Sequence, residues 1–198
     1  MAEDKKRNDL VREQPMTYDD YVNMPDDGYR YELDDGMLQL MSPSPSSYHQ
    51  LISFEIQKRF IQSCEKDYVI FNAPIDVVLA EKEVKQPDLV LVHRDRLHII
   101  TKHGGIEGIP DLVVEILSPS SAKRDKKIKL DTYARYEVPE YWIVDPENQV
   151  LEQYVLDVEQ YALPEVYGGS DFIQSKHIQC ISFSMNDIIG NIPNLSES

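Results

Sequence analysis

The order of apolar patterns in the chain predicts an α/β domain: a mixed β-sheet flanked by helices, with an additional N-terminal hairpin and C-terminal strands. Three observations predict it. Helix-period and strand-period segments follow one another as short helix and hairpin, long helix, several strands, helix, strands. The stretch 109–133, IPDLVVEILSPSSAKRDKKIKLDTY, reads as a buried strand joined to a helix by one tight turn. The chain has 198 residues, 41% hydrophobic and 28% charged, which suits one soluble globular domain, placed here at 15–192 between polar tails at 1–14 and 193–198.

Each element has its own signal. Thr17 can cap a short helix over 18–24 that Pro25 ends. Segments 29–33 and 37–41 flank Asp34-Asp35-Gly36 as a hairpin. Ser42-Pro43-Ser44-Pro45 breaks the chain, and Ser46 or Ser47 caps a long helix over 48–64. Its Leu51, Ile52, Ile56, Phe60 and Ile61 recur at helical spacing. Strands are predicted at 68–72, 75–80 and 86–92, with Asp88 at the start of the last. Residues 97–101 are open between a short strand and a loop, before the glycine-rich connection at 104–108. After the strand–turn–helix unit, 140–144 and 149–156 pair across Glu147-Asn148. Residues 161–182 read as edge strands or loops, and Ser184 caps a last short helix through Ile189.

Net charge is −15, which argues against a general binder of polyanions. The charge is uneven: Lys123, Arg124, Lys126, Lys127 and Lys129 crowd one short run with Asp125. That run is either a solvated helix face or a local basic patch able to guide one nucleic-acid strand. With only Cys64 and Cys180, no disulfide framework is expected, and a reducing cytoplasm is. No apolar run approaches the roughly 20 residues of a membrane helix. The charged opening MAEDKKRNDLVREQP lacks the apolar core of a signal peptide.

The chemistry concentrates in the central unit. Val113, Glu115 and Leu117 share one strand face, and Val114 and Ile116 the other. A carboxylate amid this much apolar surface requires a cation or several donors. Asp125, Lys129 and Tyr133 recur at i, i+4 and i+8 on the following helix and share a face. A structural Glu115–Lys129 ion pair would satisfy both groups without catalysis. Asp88 alone reads better as a turn acid before a strand, Glu32 can be read as a cross-strand partner, and His49 on an apolar helix face reads better as a packed, hydrogen-bonded histidine than as a catalyst. Tyr133, Tyr136, Tyr141 and Trp142 read as core or interface aromatics.

Pro87-Asp88 opening one strand, Glu115 inside a later one and Lys129 on the next helix together resemble the Uma2 family of the PD-(D/E)xK nuclease superfamily. The stretches YELDDGML (31–38), SYHQLISFEI (47–56), QPDLVLV (86–92), DLVVEILSPSS (111–121), DKKIKLDTY (125–133) and VPEYWIVDP (138–146) carry the resemblance. It implies a restriction-endonuclease-like core and a divalent-metal endonuclease acting on nucleic acid, DNA in the first instance. It implies Asp88 and Glu115 as metal-binding acids, with Mg2+ or Mn2+ as cofactor, and Glu32 as a further acidic site residue. The superfamily's lysine belongs two residues after the second acid, where this chain has Leu117; the resemblance shifts its role to Lys129, with Lys126 as the rival. His49, Asp125 and Tyr133 match recurring positions without an assigned role, and a homodimer is expected by resemblance alone. The chemistry is consistent: magnesium takes oxygen ligands, here two carboxylates and a strand carbonyl such as that of Ile116, and keeps several waters. A lysine can position or activate water or steady the phosphate. The absence of a His/Cys cluster disfavours zinc. The rival reading is a nuclease-like fold kept as a binding or assembly module, favoured by the −15 charge and by Leu117.

Overall fold

A computed structural model describes residues 15–42 and 44–195. The tail expected at 1–14, Pro43 of the predicted chain break and residues 196–198 lie outside these. Helix α1 (Tyr18–Val22) opens on a reciprocal capping box, in which the Thr17 hydroxyl accepts from Asp20 N and the Asp20 carboxylate accepts from Thr17 N. Strands β1 (Tyr31–Asp34) and β2 (Met37–Leu40) form the expected hairpin. Its turn residues Asp35 and Gly36 have φ of 49° and 77°, the left-handed pair that a tight two-residue turn requires. Helix α2 (Ser47–Cys64) starts where the Ser46 hydroxyl accepts from His49 N.

Strands β3 (Tyr68–Asn72), β4 (Val77–Ala80), β5 (Glu83–Lys85) and β6 (Leu89–His93) follow. A 3₁₀ segment, Arg94–Ile99, then leads to β7 (Ile106–Glu107) and β8 (Leu112–Ile116). The helix after β8 begins at Ala122, winds as a π-helix over Arg124–Lys129 and continues as α3 (Leu130–Arg135). Strands β9 (Glu140–Asp145), β10 (Val150–Asp157), β11 (Gln160–Tyr161), β12 (Glu165–Gly168), β13 (Ile173–Gln174) and β14 (Ser182–Phe183) precede helix α4 (Met185–Ile189).

The principal sheet runs β11-β10-β9-β8-β6-β3, with β12 also on β10. It is mixed: β8 and β9 are parallel, linked through the helix between them, and β6 is antiparallel to β8. One face, bearing Leu112, Val114, Ile116, Trp142 and Val144, packs on Ile52, Ile56 and Phe60 of α2 and on the C-terminal segment. The other, bearing Val90, Val113, Leu117, Tyr141 and Ile143, packs on Tyr133 and on Val77 and Ile106 of the second sheet. That sheet runs β2-β1-β5-β4-β7. The fold is therefore the mixed sheet flanked by helices that the sequence predicts, and the alternation along β8 falls as expected.

Some expectations need correction. Cys64 and Cys180 are bonded to each other, their Cα atoms 5.4 Å apart, a single bond that the expectation of reduced cysteines without a disulfide framework does not foresee; the helix end and the β13–β14 loop meet only through the tertiary fold. Strand β5 was not expected, because its Glu83-Val84-Lys85 has no apolar run to mark it. The open segment 97–101 is neither strand nor plain loop: it is mostly the 3₁₀ turn, with Ile100 bridged to Ile106. Among the described residues, no helix is long and apolar enough to cross a membrane.

Candidate active site

Asp88 stands immediately before β6, and Glu115 lies within the neighbouring strand β8. Leu89 pairs with Val114, so one step back along β6 and one step forward along β8 brings Asp88 level with Glu115. Asp88 Oδ2 accepts a hydrogen bond from Ile116 N at 2.7 Å, which fixes the carboxylate across the strand mouth. The helix after β8 returns to the same place. Lys129 Nζ lies 2.6 Å from Glu115 Oε1, 3.1 Å from Glu32 Oε1 and 3.7 Å from Asp125 Oδ1. Tyr133 Oη donates to the same Glu115 Oε1 at 3.2 Å. The i, i+4, i+8 face read from the sequence thus converges on Glu115, and the π-helical turn falls on the residues that form the site.

Glu32 comes from the other sheet. Its Oε1 also accepts from Gln86 N at 2.8 Å, and its Oε2 is 2.8 Å from Arg124 Nη2, which reaches Asp34 Oδ2 at 2.9 Å. His49 comes from α2. Its Nε2 is 2.9 Å from Ile116 O and 3.2 Å from Asp88 Oδ2; both are acceptors, so Nε2 carries the proton. His49 Nδ1 is buried without a partner among the described residues. The imidazole thus ties the helix to the Asp88 carboxylate and to the carbonyl that the sequence offers as a metal ligand.

The charges do not balance locally, and this decides which acid is perturbed. Burial alone would raise Glu32, but Lys129, Arg124 and Lys85, with the Gln86 amide, hold its carboxyl below the usual range. Glu115 has a share of a single ammonium. Burial, reinforced by Asp125, Asp88 and Glu32, pushes its carboxyl well above the usual range despite Lys129. Burial likewise raises Asp125, with Lys129 and the Ser121 hydroxyl opposing. Lys129 would be lowered by burial, but Glu115, Glu32 and Asp125 outweigh that and raise it. For His49, burial works against the charged form, while Asp88 and the Ile116 carbonyl raise it overall.

All four sequence-predicted site residues, Asp88, Glu115, Lys129 and Glu32, line one cleft of about 370 Å³. Lys126 does not; its ammonium pairs with Glu152 at 2.7 Å. Sequence reasoning missed Arg124 and Gln86 as site residues, although Gln86 directly precedes Pro87-Asp88. Among the described residues, no three His, Cys, Asp or Glu side chains are arranged to hold a metal ion. Among the oxygen-bearing residues that line the cleft are Asp88, Glu115, Glu32 and Asp125, with Ile116 between the two strand mouths.

The profile of the Uma2 family, described as "putative restriction endonuclease", matches residues 18–186. The chain belongs to the Uma2 family. A crystal structure described as that of a putative nuclease belonging to DUF820, from Anabaena variabilis ATCC 29413, shares its fold. The TM-score is 0.72 at 18% identity, covering 89% of this chain and 98% of the other. A search of curated proteins returns no match. Family membership places this Uma2 chain among nucleases of restriction-endonuclease type. Leu117, two residues after Glu115 on the same strand face, is buried in the core with Val113 and Tyr133. The ammonium on Glu115 arrives from the helix, through Lys129.

Proposed function

We propose that this protein is a metal-dependent endonuclease hydrolysing DNA phosphodiester bonds, with Asp88 and Glu115 holding the ion and Lys129 serving the phosphate. The observation that supports it is the convergence of Asp88, Glu115 and Lys129 on one cleft, from two strands adjacent in the sheet and from the helix that follows the second. The donor set fits a hard cation. It is all oxygen, and Asp88 Oδ1 and Glu115 Oε2 are left by contacts that fall on the other oxygen of each carboxylate. Two carboxylates and a carbonyl suit magnesium or manganese, which keep several waters. When bound, the ion would neutralise a phosphate oxygen and acidify the attacking water.

The chain's own groups do the positioning. Lys129 and Tyr133 orient Glu115 through Oε1, and the Lys129 ammonium adds positive charge where the phosphate gains negative charge. Glu32, fixed by Arg124 and Gln86 N, holds Lys129 in place. His49 keeps Asp88 and the Ile116 carbonyl together.

The test is nicking of supercoiled plasmid in Mg2+ or Mn2+ against EDTA. Wild type should cut only with metal, while Asp88→Asn and Glu115→Gln should fall to background with their fold intact. One observation favours a second reading, a nuclease-like fold used as a binding or assembly module: a lysine of the chain itself, Lys129, pairs with both Glu115 and Glu32. Wild type that never cuts, in either metal, would support that module.

A further inference from the structure

Three strongly basic side chains stand in the cleft wall, Lys129, Arg124 and Arg30, and they differ in what they face. Lys129 is shared among Glu115, Glu32 and Asp125. Arg124 bridges Glu32 and Asp34 through Nη2. Both are largely neutralised by carboxylates of the chain itself. Arg30 is exposed, and its Nε and Nη2 donate to the neutral Gln86 Oε1 at 3.0 and 2.8 Å. Among the described residues no carboxylate forms an ion pair with it. Asp76, the nearest acid in that chain of contacts, is bonded to the far end of the same amide, Gln86 Nε2, at 2.7 Å.

The Arg30 guanidinium is therefore charged, oriented and incompletely used. Two of its nitrogens are aligned on one acceptor, leaving Nη1 and the second proton of Nη2 for another partner. Its backbone is fixed too: Arg30 O accepts from Met41 N at 2.9 Å, extending the β1–β2 hairpin by one rung. Gln86 connects this arginine to the acid centre, since its backbone N donates to Glu32 Oε1 and Asp88 lies two residues along. Arg30 and the carboxylates thus belong to one rigid frame. On a chain of net charge −15, a polyanion reaches the cleft only where a local cation receives it.

We propose that Arg30 is a phosphate-binding residue of the cleft, gripping a phosphodiester group of the substrate strand beside the one that is cut. The proposal rests on the nuclease reading above. A guanidinium suits this task because its planar N–H pairs match phosphate oxygens, and Gln86 holds the plane in place.

The experiment measures binding of a short fluorescein-labelled DNA duplex in EDTA across a salt series, with plasmid nicking in Mn2+ alongside, for wild type, Arg30→Gln and Arg30→Lys. Arg30→Gln should melt with wild type, bind about tenfold more weakly and reduce the slope of log affinity against log salt by about 0.9. Its nicking defect should appear in KM more than in kcat, and Arg30→Lys should keep the wild-type salt slope while losing part of the affinity. Wild type that cuts, with Arg30→Gln matching its affinity and slope, overturns the clamp and leaves the nuclease reading standing. Wild type that neither binds nor cuts overturns both. Should Arg30→Gln melt early, Arg30→Lys decides the matter: a wild-type slope supports the clamp, and a slope lowered like that of Arg30→Gln assigns Arg30 to holding the hairpin instead.

Discussion

Deleting the Lys129 ammonium would leave Glu115, Glu32 and Asp125 facing one another in a buried space. Removing one partner of a buried pair costs about 3–5 kcal/mol, because the remaining charge stays desolvated. Lys129→Met is therefore expected to lose stability of that order in urea titrations without metal. Mn2+ should raise the melting temperature of this variant by more than that of wild type, since an ion then supplies the missing positive charge. Equal shifts in the two proteins would mean that metal does not see these carboxylates. Glu115 was legible in the sequence because an ionisable residue inside an apolar run, here DLVVEIL, demands a partner, whereas Asp88, Glu32 and Lys129 were singled out by the family resemblance. Arg124 and Gln86 were not. Each acts by joining β1 to a distant segment, and no local pattern encodes that meeting.

Among the elements, β9 carries the next testable feature. Glu140 is fully buried, yet among the described residues no cation forms an ion pair with it. Its Oε2 accepts from Trp142 Nε1 at 2.8 Å and Gln153 Nε2 at 3.3 Å, and its Oε1 accepts from Ser175 Oγ and His177 N, both at 2.8 Å. Two of these donors belong to the loop between β13 and β14, so this carboxylate latches the C-terminal segment to the sheet. Glu140→Gln replaces an acceptor oxygen by a donor and leaves a buried donor facing an amide, at a cost of about 1–3 kcal/mol. Native-state hydrogen exchange should quicken around 173–183 before it does in β8; uniform acceleration would argue against a local latch. Elements with strong periodic signals were read well: β3 matches its predicted span, and α2 starts one residue early and ends as predicted. Strand β5 escaped because its charges are internal. Lys85, fully buried, pairs with Glu83 and Asp34 and donates to Leu33 O at 3.0 Å, so a triplet with charges on both sides of one valine is a core strand in the fold.

On the scale of the whole molecule, the disulfide joins two parts of the chain that the hydrophobic core already brings together. Cys64 ends α2, and Cys180 lies in the loop between β13 and β14, a sequence separation of 116. Around it Phe60, Ile178, Ile181 and Phe183 share one apolar cluster with the principal sheet. Because that cluster already joins the two parts, the bond is expected to act chiefly on the unfolded chain, whose freedom a long closed loop restricts. Reduction is expected to lower unfolding stability by about 2–4 kcal/mol, less than the roughly 4–5 kcal/mol that loop entropy alone gives for such a span. A Cys64→Ser, Cys180→Ser double variant should show the same loss and no further response to dithiothreitol. Neither cysteine lines the cleft, so Mn2+-dependent nicking below the melting temperature should be unaffected in both reduced and variant protein. Urea titrations with and without reductant measure the first effect. Coincident curves for wild type, together with two free thiols by Ellman titration, would show that the pair is not joined in solution, and that burial of Phe60 and Phe183 alone seats the C-terminal segment on α2.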